Sequence, residues 1–213
     1  MMAEVIGPGS GSLAVMDDSQ RQNAGASSTR IAGDDPRVQA AAAGEPEALE
    51  ALCRAVLPRI RNLVRFLVRG DADVDDLAQD GMIEVLRALP SFRGESAFTT
   101  WADRIVVRTT LHSQRRARAR AAQLRVVELE RTALGTHVQA DGSSYMARRQ
   151  LVRVLDTLPD EQRRVLVLHH VVGMSVPEVA EALAVPFDTA KSRIRLGMAK
   201  LRKELDGGQH GDQ

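Results

Sequence analysis

The stretch SVPEVAEALAVPFDTAKSRIRLGMAKLRKEL, residues 175–205, predicts two short helices joined by a tight turn. Ser175 and Glu178 have the spacing of a capping box, in which each side chain binds the backbone N–H of the other residue. The segment Ala184-Val185-Pro186 interrupts the apolar pattern and predicts the turn, and a helix rich in Lys and Arg follows. A capped helix, a short turn and a basic second helix are the features of a helix-turn-helix, whose second helix fits the major groove of DNA.

The first turns of the basic helix contain the candidates for DNA contacts. These candidates are Asp188, Thr189, Lys191, Ser192 and Arg193. Arg and Lys match the acceptor atoms of guanine, whereas Ser and Thr can bind several base edges or a phosphate. The alternative is a solvated basic helix on an ordinary helical bundle. Because the cap, the turn and the charge agree, DNA binding is the favoured interpretation.

Helical periodicity extends over most of the sequence before this motif. Apolar residues recur at spacings of three and four across residues 46–67, which predicts an amphipathic helix that Pro58 should kink or split. Further helices are expected at about residues 74–89 and from near Ala97 into an arginine-rich segment. Since no alternating strand pattern is present, the predicted fold class is all-α, with two small helical domains.

Composition and periodicity divide the chain into five segments. We expect a disordered N-terminal extension at 1–35, a first domain at 36–118, a flexible linker at 119–147, a second domain at 148–205 and a frayed tail at 206–213.

Charge is unevenly distributed, although the net charge is only +1. Residues 71–84 contain six acids and no base, whereas residues 104–125 and 191–203 are basic and contain no acid. Two separate basic segments indicate two contacts with a polyanion such as nucleic acid. The acidic segment needs a different partner. Among the aromatic residues beside the first basic segment, we expect Phe98 and Trp101 to be core anchors and Phe92 to contact a base.

Several classes of protein are excluded. No segment approaches the roughly 18 apolar residues of a membrane helix, so membrane insertion is not expected. The single cysteine, Cys53, excludes a disulfide framework and suits a reducing cytoplasm. His169 and His170 are adjacent and would point about 100° apart on a helix, so they do not form a metal pair. We expect no catalytic residue, metal ion or cofactor.

Two segments carry a resemblance to a known family. They are DVDDLAQDGMIEVLRALPSFRGESAFTTWADRIVVRTTLHSQRRAR, residues 73–118, and LDTLPDEQRRVLVLHHVVGMSVPEVAEALAVPFDTAKSRIRLGMAKLRKEL, residues 155–205. In the order and spacing of DDLAQD, FRGESAFTTW and KSRIRLGMAKLR, the sequence resembles the extracytoplasmic-function (ECF) sigma factors. These are the smallest members of the sigma-70 family of bacterial transcription initiation factors.

For the first domain, the resemblance implies binding of core RNA polymerase and opening of the promoter. It also implies a surface of this chain that binds the clamp helices of the largest polymerase subunit, formed by Asp76, Leu77, Gln79, Asp80 and Glu84. The loop 91–96 would hold a flipped base of the minus-ten element. The residues assigned to minus-ten DNA are Phe92, Arg93, Ser96, Arg104, Arg108, His112, Arg115 and Arg116.

For the second domain, the resemblance implies recognition of the minus-thirty-five element and contact with the flap of the second-largest subunit. The residues assigned to this DNA are Asp188, Thr189, Lys191, Ser192, Arg193 and Arg195. The segment 119–147 would thread through the polymerase. Family members usually have an anti-sigma factor as partner and respond to stress or another signal, so we expect such a partner and a cytoplasmic location.

The sequence also departs from the family pattern. Ala184 stands where family members commonly have Gly in the turn, and Asp188-Thr189-Ala190 replaces a common Gly-Thr-Val. The alternative function is a conventional DNA-binding regulator, with 46–118 as a sensing or dimerising domain and a two-fold symmetric operator. An RNA-binding enzyme is a remote third class, disfavoured by the missing catalytic residues.

Overall fold

The computed structural model describes residues 30–124 and 142–207, and all regular structure in these ranges is helical. The helices are α1 (Pro36–Ala42), α2 (Pro46–Leu67), α3 (Val74–Ala88), α4 (Phe98–Leu124), α5 (Gly142–Thr157), α6 (Asp160–Leu166), α7 (Val176–Leu183) and α8 (Phe187–Gly207). A 3-10 turn follows α3 and a π-helical turn follows α6. The first domain contains α1–α4 and the second contains α5–α8. The predicted all-α fold class is confirmed for the described residues.

The first domain is built around the contact of α3 with α4, and α2 packs against both helices. Gly81 permits the close approach, since a Cβ atom there would lie 3.2 Å from a methyl group of Val106. Helix α2 runs without a break through Pro58, so the predicted split does not occur. Pro58 is exposed, which allows water to hydrate the backbone carbonyl that the proline leaves without its helical partner.

A buried ion pair ties α2 to α4 inside this domain. The guanidinium of Arg59 donates to Asp103, with 3.0 Å between Nε and Oδ1. The Asp103 side chain is only 3% exposed, and this burial raises its pKa above the usual value while the hydrogen bond and charge of Arg59 act in the opposite direction.

Ordered structure begins earlier than the sequence predicts. Ile31 is buried, and the carboxylate of Asp35 accepts the N–H of Arg37 at 2.9 Å and so caps α1. The prediction of disorder through residue 35 is therefore wrong for residues 30–35, because one apolar side chain and one cap fix this segment. Residues 1–29 lie outside the described residues.

The predicted linker is partly helical. Helix α4 extends to Leu124 and α5 starts at Gly142, so helical residues occupy both ends of the segment 119–147. Its central part, 125–141, lies outside the described residues, as does most of the predicted frayed tail, at 208–213.

The second domain contains the predicted helix-turn-helix. The capping box of α7 is confirmed, with the N–H of Ser175 donating to Oε2 of Glu178 at 2.8 Å. Helix α7 is capped at its C-terminal end by Ala184, which adopts the left-handed conformation with φ 55° and ψ 49°. The N–H of Val185 donates to the carbonyl of Ala180 at 2.9 Å, and the N–H of Ala184 to that of Glu181 at 3.0 Å. This is the Schellman motif, formed here with Ala in place of Gly.

The two domains contact each other through a cluster of arginines and aspartates. Arg65 of α2 pairs with Asp156, and Arg69, just after the end of α2, pairs with Asp160, each at 2.7 Å. Arg163 lies in the centre with its side chain 1% exposed, and it donates to both aspartates, at 3.0 and 3.2 Å. Burial of such a cation is costly unless it is paired, so the two aspartates stabilise the second domain and bind the first domain at once.

Candidate nucleic-acid interface

The exposed cations of α4 form a stripe along one side of the helix. Arg104, Arg108, His112 and Arg115 are all exposed, and their spacings of three and four place them one above another. We call these four residues the basic stripe. Arg116 is exposed as well, but it lies about 100° around the helix from Arg115. The opposite face of α4 supplies the core, with Ala102 and Val106 among its buried residues.

The loop 91–96 lies at the start of α4 and exposes most of its polar residues. Arg93 and Ser96 are exposed, as the assignment to DNA requires. Phe92 is half-buried, because its ring lies 4.9 Å from the ring of Trp101 and 5.5 Å from that of Phe98. Phe98 is fully buried, which confirms its prediction as a core anchor, and Trp101 is half-buried. Phe92 therefore belongs to an aromatic cluster and is only partly exposed.

On α8, the predicted DNA residues divide into two groups. Asp188, Lys191 and Arg195 are exposed, at spacings that place them on one face. Thr189, Ser192 and Arg193 are half-buried. The hydroxyl of Ser192 donates to the carbonyl of Thr189 at 3.1 Å, and Arg193 pairs with Glu161 of α6 at 2.5 Å.

The basic stripe faces the second domain. Nη2 of Arg104 lies 3.0 Å from Oε1 of Glu178, and Nη2 of Arg115 donates to the carbonyl of Ala182 at 2.6 Å. A cleft of about 430 Å³ separates α4 from α7. Its lining residues are Arg104, Val107, Arg108, Leu111, His112, Arg115, Met174, Glu178, Glu181 and Ala182. The cleft therefore has a cationic wall on one domain and an acidic wall on the other.

The predicted polymerase surface lies on α3 and needs one correction. Asp76, Gln79 and Asp80 are exposed along one face, and Glu84, partly exposed, pairs with Arg87 at 2.6 Å. Leu77 instead packs into the core with 9% of its surface exposed, because it lies about 100° around the helix from Asp76. It does not lie on this surface.

An apolar residue that the sequence analysis missed lies on the same face of α3. Ile83 is 38% exposed and follows Asp76 and Asp80 at helical spacing. The exposure of Ile83 could have been predicted from the sequence, since an isoleucine on the acidic side of an amphipathic helix breaks the polar pattern.

The second domain places the two histidines without forming a metal site. His169 and His170 lie in the π-helical turn Val167–Val171, with ring centroids 4.7 Å apart, and Nδ1 of His169 lies 2.7 Å from the carbonyl of Met174. In 30–124 and 142–207, no cluster of three or more His, Cys, Asp or Glu residues could hold a metal ion. None of the helices described there has the length and apolar content needed to cross a membrane.

Comparison with known proteins matches both domains to one family. Residues 52–120 match sigma-70 region 2, and residues 148–201 match sigma-70, region 4. The chain is 31% identical over 171 residues to the ECF RNA polymerase sigma-E factor of Escherichia coli (strain K12), covering 76% of this chain and 88% of that protein. It is 34% identical over 164 residues to the ECF RNA polymerase sigma factor SigM of Mycobacterium tuberculosis (strain ATCC 35801 / TMC 107 / Erdman), covering 76% and 80%.

A solved structure has a similar fold. The sigma factor RpoE from Bartonella quintana, crystallised in complex with the anti-sigma factor NepR, superposes with a TM-score of 0.50 at 24% identity, covering 74% of this chain and 96% of that one. Both sigma-70 regions are matched in order, and relatives above 30% identity span most of the chain. The helical domains with their basic surfaces thus have a common explanation: the chain belongs to the ECF sigma factors of the sigma-70 family, which direct RNA polymerase in transcription initiation and are not enzymes.

Proposed function

We propose that this sigma factor binds promoter DNA with two separate basic surfaces, one on each domain, while α3 holds core RNA polymerase. The observation that carries the proposal is the alignment of the basic stripe along one side of α4, the helix that follows the exposed loop 91–96. Cations along one side of a helix match the regular negative charge of a nucleic-acid backbone. The loop before them supplies contacts to an unpaired base.

In this proposal the loop holds a flipped base of the minus-ten element and helps to open the promoter. Extruding a base costs about a few kcal/mol of unstacking. The partly exposed Phe92 offers an aromatic ring for stacking, and Arg93 with the basic stripe offers cations to the strand that is displaced. These contacts offset the cost only when the strand is open, so they favour melting over closed binding.

On the second domain, α8 reads the minus-thirty-five element in the major groove. Lys191 and Arg195 on its exposed face suit guanine or phosphate, and Asp188 suits the amino group of cytosine. The half-buried Thr189 and Ser192 lie beside this face, and Arg193 joins it once it is released from Glu161. The same domain would contact the flap of the second-largest polymerase subunit.

The polymerase surface combines acids with one apolar residue. Asp76, Gln79, Asp80 and Glu84 surround Ile83 on the face of α3, and we assign this face to the clamp helices of the largest polymerase subunit. An apolar side chain inside a polar rim is a typical centre of binding energy in protein interfaces.

The contact between the domains has to open before the basic stripe binds DNA. In the closed arrangement Arg104 is paired with Glu178 and Arg115 with a carbonyl of α7. Ion pairs between partly exposed groups contribute about 0–1 kcal/mol each. In this proposal, binding of both domains to core polymerase separates them.

Further partners follow from the same assignment. We propose an anti-sigma factor as a protein partner, supported by the cleft between α4 and α7, which has charged walls of both signs and apolar residues between them. Because the chain would act on promoter DNA and RNA polymerase, we also propose that it is cytoplasmic. Control by an anti-sigma factor fits a response to stress or another signal.

Binding of labelled chain to core polymerase tests the assignment of α3. We expect Asp80→Lys and Ile83→Ala each to weaken binding by about tenfold, which corresponds to about 1.4 kcal/mol. Glu50→Lys is the matched control, because Glu50 is an exposed acid on a different helix, α2. If both α3 variants bind core polymerase as tightly as the unchanged chain, this face does not hold the polymerase.

A further inference from the structure

The segment before α1 packs directly onto the loop 91–96. A Cβ atom built on Gly33 would lie 2.4 Å from the carbonyl oxygen of Ser96 and 2.5 Å from that of Gly94. Real Cβ atoms do not approach other heavy atoms so closely, and both of the atoms it would meet belong to the backbone. Only glycine fits at position 33 while the loop keeps its present path.

The contact is reciprocal. A Cβ atom on Gly94 would lie 3.2 Å from the carbonyl oxygen of Gly33, and Gly94 has a φ of +74°, in the left-handed region that favours glycine. Two backbones thus lie against each other with no side chain between them. The path of the loop at Gly94 is fixed both by its own conformation and by its neighbour.

The N-terminal segment is itself anchored on both sides of Gly33. Ile31 is 3% exposed and belongs to the hydrophobic core, and Asp35 caps α1. Helix α1 buries Val38 and Ala41 and contacts the 3-10 turn Leu89–Ser91, from which the loop starts. The loop is consequently held at its start by α1 and at its centre by Gly33.

From this geometry we propose that Gly33 is a positioning residue for promoter opening, which sets the path of loop 91–96 and thereby its choice of the flipped minus-ten base. The inference rests on the proposed function of the loop. Gly33 touches no DNA in this account and acts only through the backbone at Gly94 and Ser96. The N-terminal segment then adjusts promoter specificity from outside the loop that reads the base.

Promoter opening by the full chain with core polymerase tests the proposal, measured as permanganate reactivity of minus-ten thymines on promoters with each of the four bases at the flipped position. We expect Gly33→Ala to slow opening of the preferred promoter by about tenfold and to reduce the preference among the four bases. Binding to core polymerase should stay within about twofold. Hydrogen exchange at residues 93–97 should increase, since the loop loses its support.

Two further variants make the test decisive. Ile31→Ala removes a core anchor of the same segment without creating a clash, so it should also reduce the preference among the four bases. If Gly33→Ala does not fold, Ile31→Ala tests the positioning role of the segment instead. Ala32→Ser is the matched control, because Ala32 is an exposed neighbour on the same segment, and it should behave as the unchanged chain.

The outcomes separate this proposal from the function of the loop. If Arg93→Ala alters opening and base preference while Gly33→Ala and Ile31→Ala do not, the loop reads DNA and Gly33 does not position it, which overturns the proposal. If Arg93→Ala, Phe92→Ala and Gly33→Ala all leave base preference unchanged, the loop does not read the base, and the proposed function of the loop fails together with this inference.

Discussion

The side chains of Arg104 and Glu178 meet at 3.0 Å between Nη2 and Oε1, so that one carboxylate serves two domains. Its second oxygen, Oε2, accepts the N–H and the hydroxyl of Ser175 at 2.8 Å each and closes the cap of α7. The hydrogen bonds from Ser175 lower the pKa of Glu178, and the charge of Arg104 acts in the same direction. The carboxylate that caps the helix-turn-helix is thus also the group that pairs with an arginine of the basic stripe on the other domain.

Weakening the domain contact should open the free chain. The double variant Arg69→Ala/Glu178→Gln removes two partly exposed ion pairs and the hydrogen bond from Arg69 to the carbonyl of Leu158, and it leaves Asp160 paired with Arg163. We expect a larger radius of gyration in small-angle X-ray scattering, at a cost to folding stability of no more than about 1 kcal/mol per pair.

Arg54→Ala/Glu84→Gln is the matched control for this experiment. It removes one member of each of two exposed pairs, Arg54–Glu50 and Arg87–Glu84, that lie within the first domain. The control should scatter as the unchanged chain does. An equal radius for all three proteins would show that these contacts do not hold the domains together.

The domain contact should also be lost in acid. Burial alone would raise the pKa of Asp160, but the hydrogen bond from Arg69 and the charges of Arg163 and Arg164 outweigh it and lower the pKa below 3.8. A lowered pKa means that the folded state stabilises the carboxylate. Its contribution is therefore complete above about pH 4 and disappears as the pH falls through the lowered value.

Urea unfolding between pH 7 and pH 3 measures this contribution. We expect Asp160→Asn to cost about 1–3 kcal/mol at pH 7, since Arg163 loses a partner, and the difference from the unchanged chain should shrink below about pH 4. A difference that stays constant across this range would contradict the assigned role of Asp160.

The turn of the helix-turn-helix should gain stability from glycine. Ala184 is the one non-glycine residue with positive φ in the described parts of the chain, at 55°. We expect Ala184→Gly to raise the free energy of unfolding by about 0.5–1 kcal/mol, because the left-handed conformation strains a residue with a Cβ atom. Ala199→Gly, at an exposed position inside α8, should lower it by about the same amount. If both changes alter the free energy of unfolding in urea by the same amount and in the same direction, Ala184 is not strained.

Much of the fold is local and could be predicted from the sequence. The capping box, the helices and the turn at residues 184–186 depend on neighbouring residues, so the pattern determines them. Helix α1 was missed because its seven residues are too few to be stable alone and depend on burying Val38 and Ala41. Leu77 was misplaced because it lies in sequence among the acids of α3, whereas its side chain faces the core.

The arrangement of the candidate site could not be predicted in the same way. Arg65 and Asp156 are 91 residues apart, and the charge pattern does not say which acid meets which base. The same holds for the contact of Gly33 with the loop, which depends on two segments of the first domain meeting in space. The alignment of the basic stripe follows from helical spacing, but the contact between the stripe and α7 depends on tertiary structure.

The ion pair with Glu161 should limit the binding of Arg193 to DNA. This pair holds a predicted base-reading residue half-buried against α6. We measure how tightly the complex of core polymerase and this chain binds a minus-thirty-five element. We expect Glu161→Gln to strengthen this binding. We expect Arg193→Ala to weaken it by about 1–3 kcal/mol, for the preferred DNA sequence only. Arg195→Ala should weaken binding to all sequences alike if Arg195 contacts phosphate. A uniform loss with Arg193→Ala would move Arg193 from base recognition to backbone contact.

Run-off transcription with core polymerase tests most directly whether the two domains act as promoter-recognition surfaces of one initiation factor. The templates carry both promoter elements, only one of them, or neither. We expect a transcript of defined length that requires the chain, and that falls sharply when either element is removed. If core polymerase with this chain gives no transcript beyond that of core alone on any promoter drawn from its own genome, the assignment of both surfaces to promoter DNA is contradicted.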